Sequence, residues 1–271
     1  MKHFFIVLFF SSICIFSMAQ ENRIEKIRSQ INYINSQKDY QTFYLENNDY
    51  IDHVDMGITA TSCFKNDTLF KIIEKAYFNY YNSTTEYYYW DNELFFVYTI
   101  ENNYEVILDE DSSFLEFNYD KQYESFNGRY YFENGKEIKR IEKGESYSSI
   151  TQEINAESLR VEFLNIQRNY ETYLLLQGKW IENKNKDNSF IFNKRSIEIS
   201  HSKTTEYQHF TVNNSRITLG WDDDEIHSNK YTIKKLNSNE LVLVQESTKK
   251  KNTYKRQKDS LPVTQIFYEQ Q

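Results

Sequence analysis

Between residues 176 and 258 apolar and polar side chains alternate with a period of two. Phe190 and Phe192, Ile197 and Ile199, Ile217 with Leu219 and Trp221, Tyr231 and Ile233, and Leu241 and Leu243 stand two residues apart. Strands that are apolar on one face only belong to an antiparallel sheet with that face buried and the other wet. Asn183 to Asn188, Asn193-Lys194, Ser202-Lys203, Asn213-Asn214, Asp222 to Glu225 and Asn237 to Asn239 break the runs, as turn-forming polar residues do. The spacing predicts about eight short strands in an up-and-down meander, whose two exposed edges are removed if it closes into a barrel.

Upstream the period changes. Ile24, Ile27, Ile31 and Ile34 follow steps of three and four in an otherwise polar stretch from Gln20 to about Lys38, which predicts an amphipathic helix lying on a first module. From about Val54 the chain turns to runs rich in Tyr, Phe, Ile and Thr. Strands are expected over Ile58 to Phe64, Thr68 to Tyr81, Thr85 to Trp90, Leu94 to Ile100, Gly128 to Glu133 and Glu137 to Ile141. Asn134-Gly135 is a type I′ hairpin signal, because both central residues of that turn need φ > 0. The module therefore reads as successive antiparallel hairpins. After the small polar stretch Ser146 to Ser149, helical spacing returns at Leu159, Phe163, Ile166, Tyr170, Tyr173 and Leu174, with Asn155 as N-cap and Gly178 as the stop. The fold class expected is mainly β: a hairpin-rich β module with its helix over 20–150, a linking helix over 151–175, a small eight-stranded barrel over 176–258 and a tail over 259–271.

The first residues point to a compartment. Lys2, the apolar run from Phe4 through Phe16 and the small-residue end Ser17-Met18-Ala19 have the pattern of a secretory signal cleaved after Ala19. The apolar part is too short to span ~30 Å of hydrocarbon, so no membrane anchor is expected after cleavage. Cys14 lies behind Ser12-Ile13, which disfavours lipidation. The expected location is secreted or periplasmic. Cys63 is then the single thiol of the mature chain, so no internal disulfide is expected and stability must come from burial.

Composition narrows the partners. The formal net charge is -8, and removing Lys2 with the signal makes it one more negative, which argues against a nucleic-acid backbone as ligand. With 23 Tyr and 20 Phe against 6 Gly and 1 Pro, the chain favours half-buried pleated surfaces and has too little glycine for a phosphate-cradling loop.

Candidate chemistry is sparse. Asp222, Asp223, Asp224, Glu225 and His227 crowd potential cation ligands, but without the central Gly of a calcium loop they read as a solvated turn. His201 and His209 sit eight residues apart across a turn with no carboxylate at fixed spacing, and read as exposed strand residues rather than a zinc pair. Asp49, Asp52, Asp55, Asp109, Glu110 and Asp111 are acids among many, uninformative for general acid and base work. No Ser stands in a nucleophile-elbow context, and no Cys, His and Asn arrangement surrounds Cys63. The chain is read as non-enzymatic, with no catalytic residue, metal or cofactor.

The densest aromatic stretch runs from Tyr77 to Trp90. Tyr80, Tyr81, Tyr87 and Tyr89 are candidates for an interaction surface, since tyrosine contributes contact area at low entropy cost and half of a strand's side chains face outward.

Two resemblances add to this. Gln177-Gly178-Lys179-Trp180 at the head of the meander, with the late strand Leu241-Val242-Leu243, resembles the Gly-x-Trp opening of exported bacterial lipocalin-like domains. The Thr-Asp-Tyr turn of true lipocalins is absent. Tyr130 to Lys136 resembles the Tyr-Tyr-x-Asn-Gly hairpins of MORN-like repeats. The lipocalin-like resemblance implies that Trp180 sits at the closed end of the barrel, covered by a basic side chain from the last strand, Asn252 to Lys258, where Arg256 is the candidate. It implies a protein whose barrel binds a small apolar ligand or serves as a docking domain. The alternative is a cell-envelope interaction or inhibitor protein acting through the tyrosine-rich surface. An eight-stranded barrel is either filled by its own side chains or holds one small ligand. The large residues Phe190, Phe192, Trp221 and Tyr231 point to filled.

Overall fold

The computed structural model describes residues 21–46, 56–147, 152–202, 204–220 and 229–257, and in the helix that begins at Gln152 it describes side chains from Ala156 onward. The expected signal, Asp49, Asp52, Asp55, the Asn155 side chain, Trp221 with the acidic run and His227, and the tail lie outside these residues. Helix α1 covers residues 21–36. Seven strands follow: β1 (Gln41–Glu46), β2 (Gly57–Lys65), β3 (Thr68–Tyr77), β4 (Tyr81–Trp90), β5 (Glu93–Leu108), β6 (Phe114–Glu133) and β7 (Lys136–Gly144). Then come α2 (Gln152–Leu176) and the strands β8 (Gly178–Glu182), β9 (Ser189–Asn193), β10 (Ser196–His201), β11 (Thr204–Asn213), β12 (Arg216–Leu219), β13 (Asn229–Leu236), β14 (Glu240–Gln245) and β15 (Lys251–Arg256). The protein is mainly β and antiparallel throughout. Its contacts group into two compact units. The first runs to Gln41 and takes Cys63–Glu74 and Tyr80–Ala156; the second takes Thr42–Ser62, Lys75–Asn79 and the chain from Glu157.

β1 to β7 form one sheet in sequential order. The tight turns Asn66-Asp67, Asp91-Asn92 and Asn134-Gly135 each place two consecutive residues at positive φ, between 50° and 68°. That is the type I′ geometry whose twist matches the flanking strands, and Asn, Asp and Gly reach it at least cost. In the first unit Ile24, Ile27 and Ile34 of α1 are buried against Tyr88, Phe95, Phe96 and Tyr131, with Ile31 partly buried beside them.

Three features depart from the expected strands. β1 was not foreseen. β3 stops at Tyr77, four residues short of Tyr81. β5 and β6 run well beyond Ile100 and begin well before Gly128. Register shifts at Glu101/Asn102, Tyr104/Glu105 and Ile107/Leu108 break the period-two pattern there, so the strands could not be followed by alternation alone.

In the second unit β8 to β15 close into a barrel in sequential order, with β15 paired to β8. Its alternating apolar face points inward: Phe190, Phe192, Ile197, Phe210, Ile217, Leu219, Leu241, Leu243 and Tyr254 are all buried. Ring centroids lie 4.9 Å apart for Phe190 and Tyr254 and 5.0 Å for Phe192 and Phe210. Tyr173 of α2 adds a further ring 5.6 Å from Phe210.

Helix α2 is joined to the barrel by side chains four residues apart. Asn169 Oδ1 accepts a hydrogen bond from the Asn214 backbone N–H at 2.9 Å, and Tyr173 Oη accepts one from that of Val212 at 3.0 Å. Gln177 Oε1 accepts a third from the Lys194 N–H at 2.7 Å. Each satisfies a backbone donor that the strand ladder leaves over near a hairpin end. Beside them Arg195, fully buried, pairs with Glu162 at 2.8 Å.

Candidate functional site

At one end of the barrel lie the residues of the Gly-x-Trp opening. Gly178 has φ 98°, a left-handed conformation that ends α2 and that side chains resist. Trp180 is fully buried and its Nε1–H donates to the Leu176 carbonyl at 2.6 Å. Arg256 is its register partner across the β15–β8 closure, and the guanidinium carbon stands 4.3 Å from the indole centroid. The same guanidinium donates to the carbonyls of Ser238, at 2.8 Å, and of Gln177 and Leu175. One side chain thus joins the last strand, the β13–β14 turn and carbonyls left over at the end of α2. Each of the three guanidinium nitrogens donates to a backbone carbonyl, which makes Arg256 a structural tie.

The tyrosine stretch does not present the surface expected of it. Of the four candidates Tyr80 is exposed, while Tyr81, Tyr87 and Tyr89 are buried. Adjacent Tyr88 is buried under α1, and Tyr89 donates its O–H to the Ala156 carbonyl at 2.7 Å. Covering both faces of β4 removes the outward half that a strand with one wet face would keep. At its start Tyr80 and Tyr81 form a ring cluster with Tyr147 at 4.9 to 5.3 Å. The Ser146 hydroxyl and the Tyr147 backbone N–H hold the buried Glu101 carboxylate at 2.6 and 2.8 Å.

The exposed apolar surface lies instead on a segment that sequence reasoning missed. β4 pairs with β5 only as far as Tyr81 and Asn103, and β7 with β6 only as far as Gly144 and Phe126. Tyr104 still donates its backbone N–H to the Tyr80 carbonyl at 3.1 Å, and in the described register the residues of β5 beyond it pair with β6 alone, as a two-stranded ribbon. Cross-strand partners share a face. Val106 opposes Phe117 and Leu108 opposes Phe114, while Glu105 opposes Asn118 and Ile107 opposes Glu116. One face is therefore a row of apolar side chains, with Phe114 and Phe117 at 4.9 Å and Tyr119 against Tyr104 at 4.8 Å. The other face is largely polar: Glu105 accepts from Asn118 at 3.0 Å and pairs with Lys121 at 3.2 Å. Lys121 and Asn118 hold the Glu105 carboxyl below the usual carboxylate range.

The apolar row is open to solvent. Phe114 is 58% exposed and Leu115 59%, with Val106, Leu108 and Tyr119 also exposed. At the tip Asp109 Oδ1 accepts from the backbone N–H groups of Asp111 and Ser113 at 3.0 and 2.8 Å, so this carboxylate organises the turn. The signal for the ribbon was present as Leu115, Phe117 and Tyr119 at period two. It was hidden by Glu101-Asn102-Asn103, which reads as a turn.

The remaining candidates separate. His209 is buried rather than exposed, because its strand packs inward at that point, and His201 stays exposed. Ser196 opposes His209 whereas His201 opposes Thr204, so the two histidines stand at opposite ends of the β10–β11 pairing. Among the described residues no three His, Cys, Asp or Glu side chains group as metal ligands, and no helix is long and apolar enough to cross a membrane. Cys63 is half-buried and in no disulfide. Comparison with protein-family models, with curated proteins and with solved structures found no match.

Proposed function

We propose that the protein is an exported, non-enzymatic interaction protein that uses the β5–β6 ribbon to bind a protein partner. The observation that carries this reading is the row of exposed apolar side chains from Leu108 and Phe114 to Tyr119 on one face of a ribbon that, among the described residues, has no other strand beside it. A two-stranded ribbon is marginal by itself, and contiguous apolar surface is rare on a free protein unless a partner covers it. Asp109, Glu110 and Asp111 at the tip favour a partner whose apolar patch is bordered by basic side chains.

The barrel is read as lipocalin-like, on its Gly178-Lys179-Trp180 start and its closed eight-stranded meander. The ring contacts among Phe190, Phe192, Phe210 and Tyr254 favour an interior filled by side chains over one that holds a ligand. The barrel is then a scaffold in the same chain as the ribbon. Export rests on the pattern of the first 19 residues, ending at Ala19.

The test compares crosslinked complexes of the exported protein, whose N-terminus sequences as Gln20, with those of Phe114→Ser/Leu115→Ser. Tyr207→Ser, at an exposed barrel position, serves as control. The expected result is a partner shared by the wild type and Tyr207→Ser and lost from the ribbon variant. A ribbon variant that holds the same partner to the same extent would overturn the reading.

A further inference from the structure

Between α1 and the sheet face of β4, β5 and β6 in the first unit lies an open groove of about 470 Å³, within the range that holds small ligands. Tyr88, Phe96 and Tyr131 make its floor, with ring centroids 5.5 and 5.0 Å apart, and Ile31 of α1 makes one wall. The floor is thus an apolar surface with aromatic faces. It suits a flat or extended apolar body.

The charges around it are unequal. Glu86 lines the groove, but its carboxylate is engaged: Oε1 takes the Lys71 ammonium at 2.8 Å and Oε2 accepts the Tyr88 O–H at 2.6 Å. Burial, and then the Glu86 carboxylate, push the Tyr88 phenol well above its ordinary range, so it remains a protonated donor to that acid. Arg28 of α1 and Arg129 of β6 also line the groove, and both are exposed. Neither side chain is in an ion pair or hydrogen bond with the described residues. Arg129 stands over the Tyr98 ring at 5.3 Å, a contact that leaves its N–H groups open to a ligand. By register Lys139 shares the face of Tyr131, which adds a further cation. In a chain of net charge -8, this groove is a local concentration of positive charge over an aromatic floor.

We propose that this groove binds a small amphiphilic anion, its apolar body on Tyr88, Phe96 and Tyr131 and its anionic head between Arg28 and Arg129. Guanidinium groups are suited to such heads because their N–H donors form a fork that matches carboxylate, sulfonate or phosphate oxygens. A neutral or cationic amphiphile of the same length gains the floor but not the head contacts. The proposal stands on residues separate from the ribbon, so either reading can fail without the other.

The experiment titrates decanoate and decyltrimethylammonium into the full exported chain by calorimetry at low salt. The same titrations use Arg28→Gln, Arg129→Gln and the double variant, each checked for an unchanged urea midpoint. Both arginines are exposed, so these replacements leave the core intact. The expected result is that decanoate binds more tightly than decyltrimethylammonium. Each single variant should weaken decanoate about ten-fold, the scale of one hydrogen bond to a charged group, and the double variant should remove the preference for the anion. Equal binding of the two probes by the wild type, or undiminished decanoate binding by the double variant, would overturn the proposal.

Discussion

Arg256 stands 4.3 Å above the ring of Trp180, its register partner across the seam that closes the barrel. The contact couples the seam to the end of α2, because the same guanidinium donates to the Leu175 and Gln177 carbonyls. Trp180 is fully buried and bonded through Nε1, so its loss leaves both a cavity and an unpaired carbonyl.

Trp180→Ala should therefore cost ~3 to 5 kcal/mol, a large part of the ~5 to 15 kcal/mol that holds a typical domain together. Arg256→Ala should cost about 2 kcal/mol, the scale of a desolvated cation-π contact, and Arg256→Lys should recover only part, since an ammonium lacks the flat face that stacks on the indole and the fork of N–H donors. Urea melts followed by circular dichroism check the order. A Trp180→Ala loss under about 1 kcal/mol would place the residue with ordinary surface positions.

The pair of buried Arg195 and part-buried Glu162 behaves differently from a surface ion pair. Removing one partner strands a charge out of water, so Glu162→Leu alone should cost ~3 to 5 kcal/mol. Replacing both, as Glu162→Leu with Arg195→Met, should cost less than the single change, because no charge is left to solvate. A double-mutant cycle measures the coupling. Additive losses would show that the pair does not act as a unit.

Stability should fall on the alkaline side. Burial is the first cause that pushes the phenols of Tyr173 and Tyr254 up to about 12 from an ordinary value of 10. A raised pKa means the fold prefers the protonated phenol. The contribution is whole below pH 10 and is lost as pH rises toward 12, where the unfolded chain has released protons that the folded chain still holds. Each group then lowers stability by up to ~1.4 kcal/mol per pH unit. Urea midpoints measured across that window should decline, and Tyr254→Phe should flatten the decline. An unchanged slope in Tyr254→Phe would remove this residue from the account.

Much of the fold was legible because it rests on local rules. The isoleucine stripe of α1 shows one helical face, the alternation from Phe190 to Leu243 shows strands wet on one side, and Asn134-Gly135 shows a turn that needs two positive φ values. These signals lie within a few residues of each other, where backbone geometry alone sets the period. The ribbon was not legible, because bulges in β5 and β6 shift the period and a run of Asn interrupts it. Its apolar row exists only once Val106 is set opposite Phe117 and Leu108 opposite Phe114.

The sequence by itself determined the two helices, the antiparallel class and the one-sided strands of the barrel, through side-chain periods that no distant contact alters. Tertiary structure decided which surfaces are free. It covered Tyr87 and Tyr89, buried Arg195 against Glu162, set Arg256 over Trp180, and left Phe114, Leu115, Arg28 and Arg129 open. The physical reason is that burial belongs to pairs of segments far apart in the chain. A tyrosine on a strand has the same local pattern whether its outward face meets water or another element.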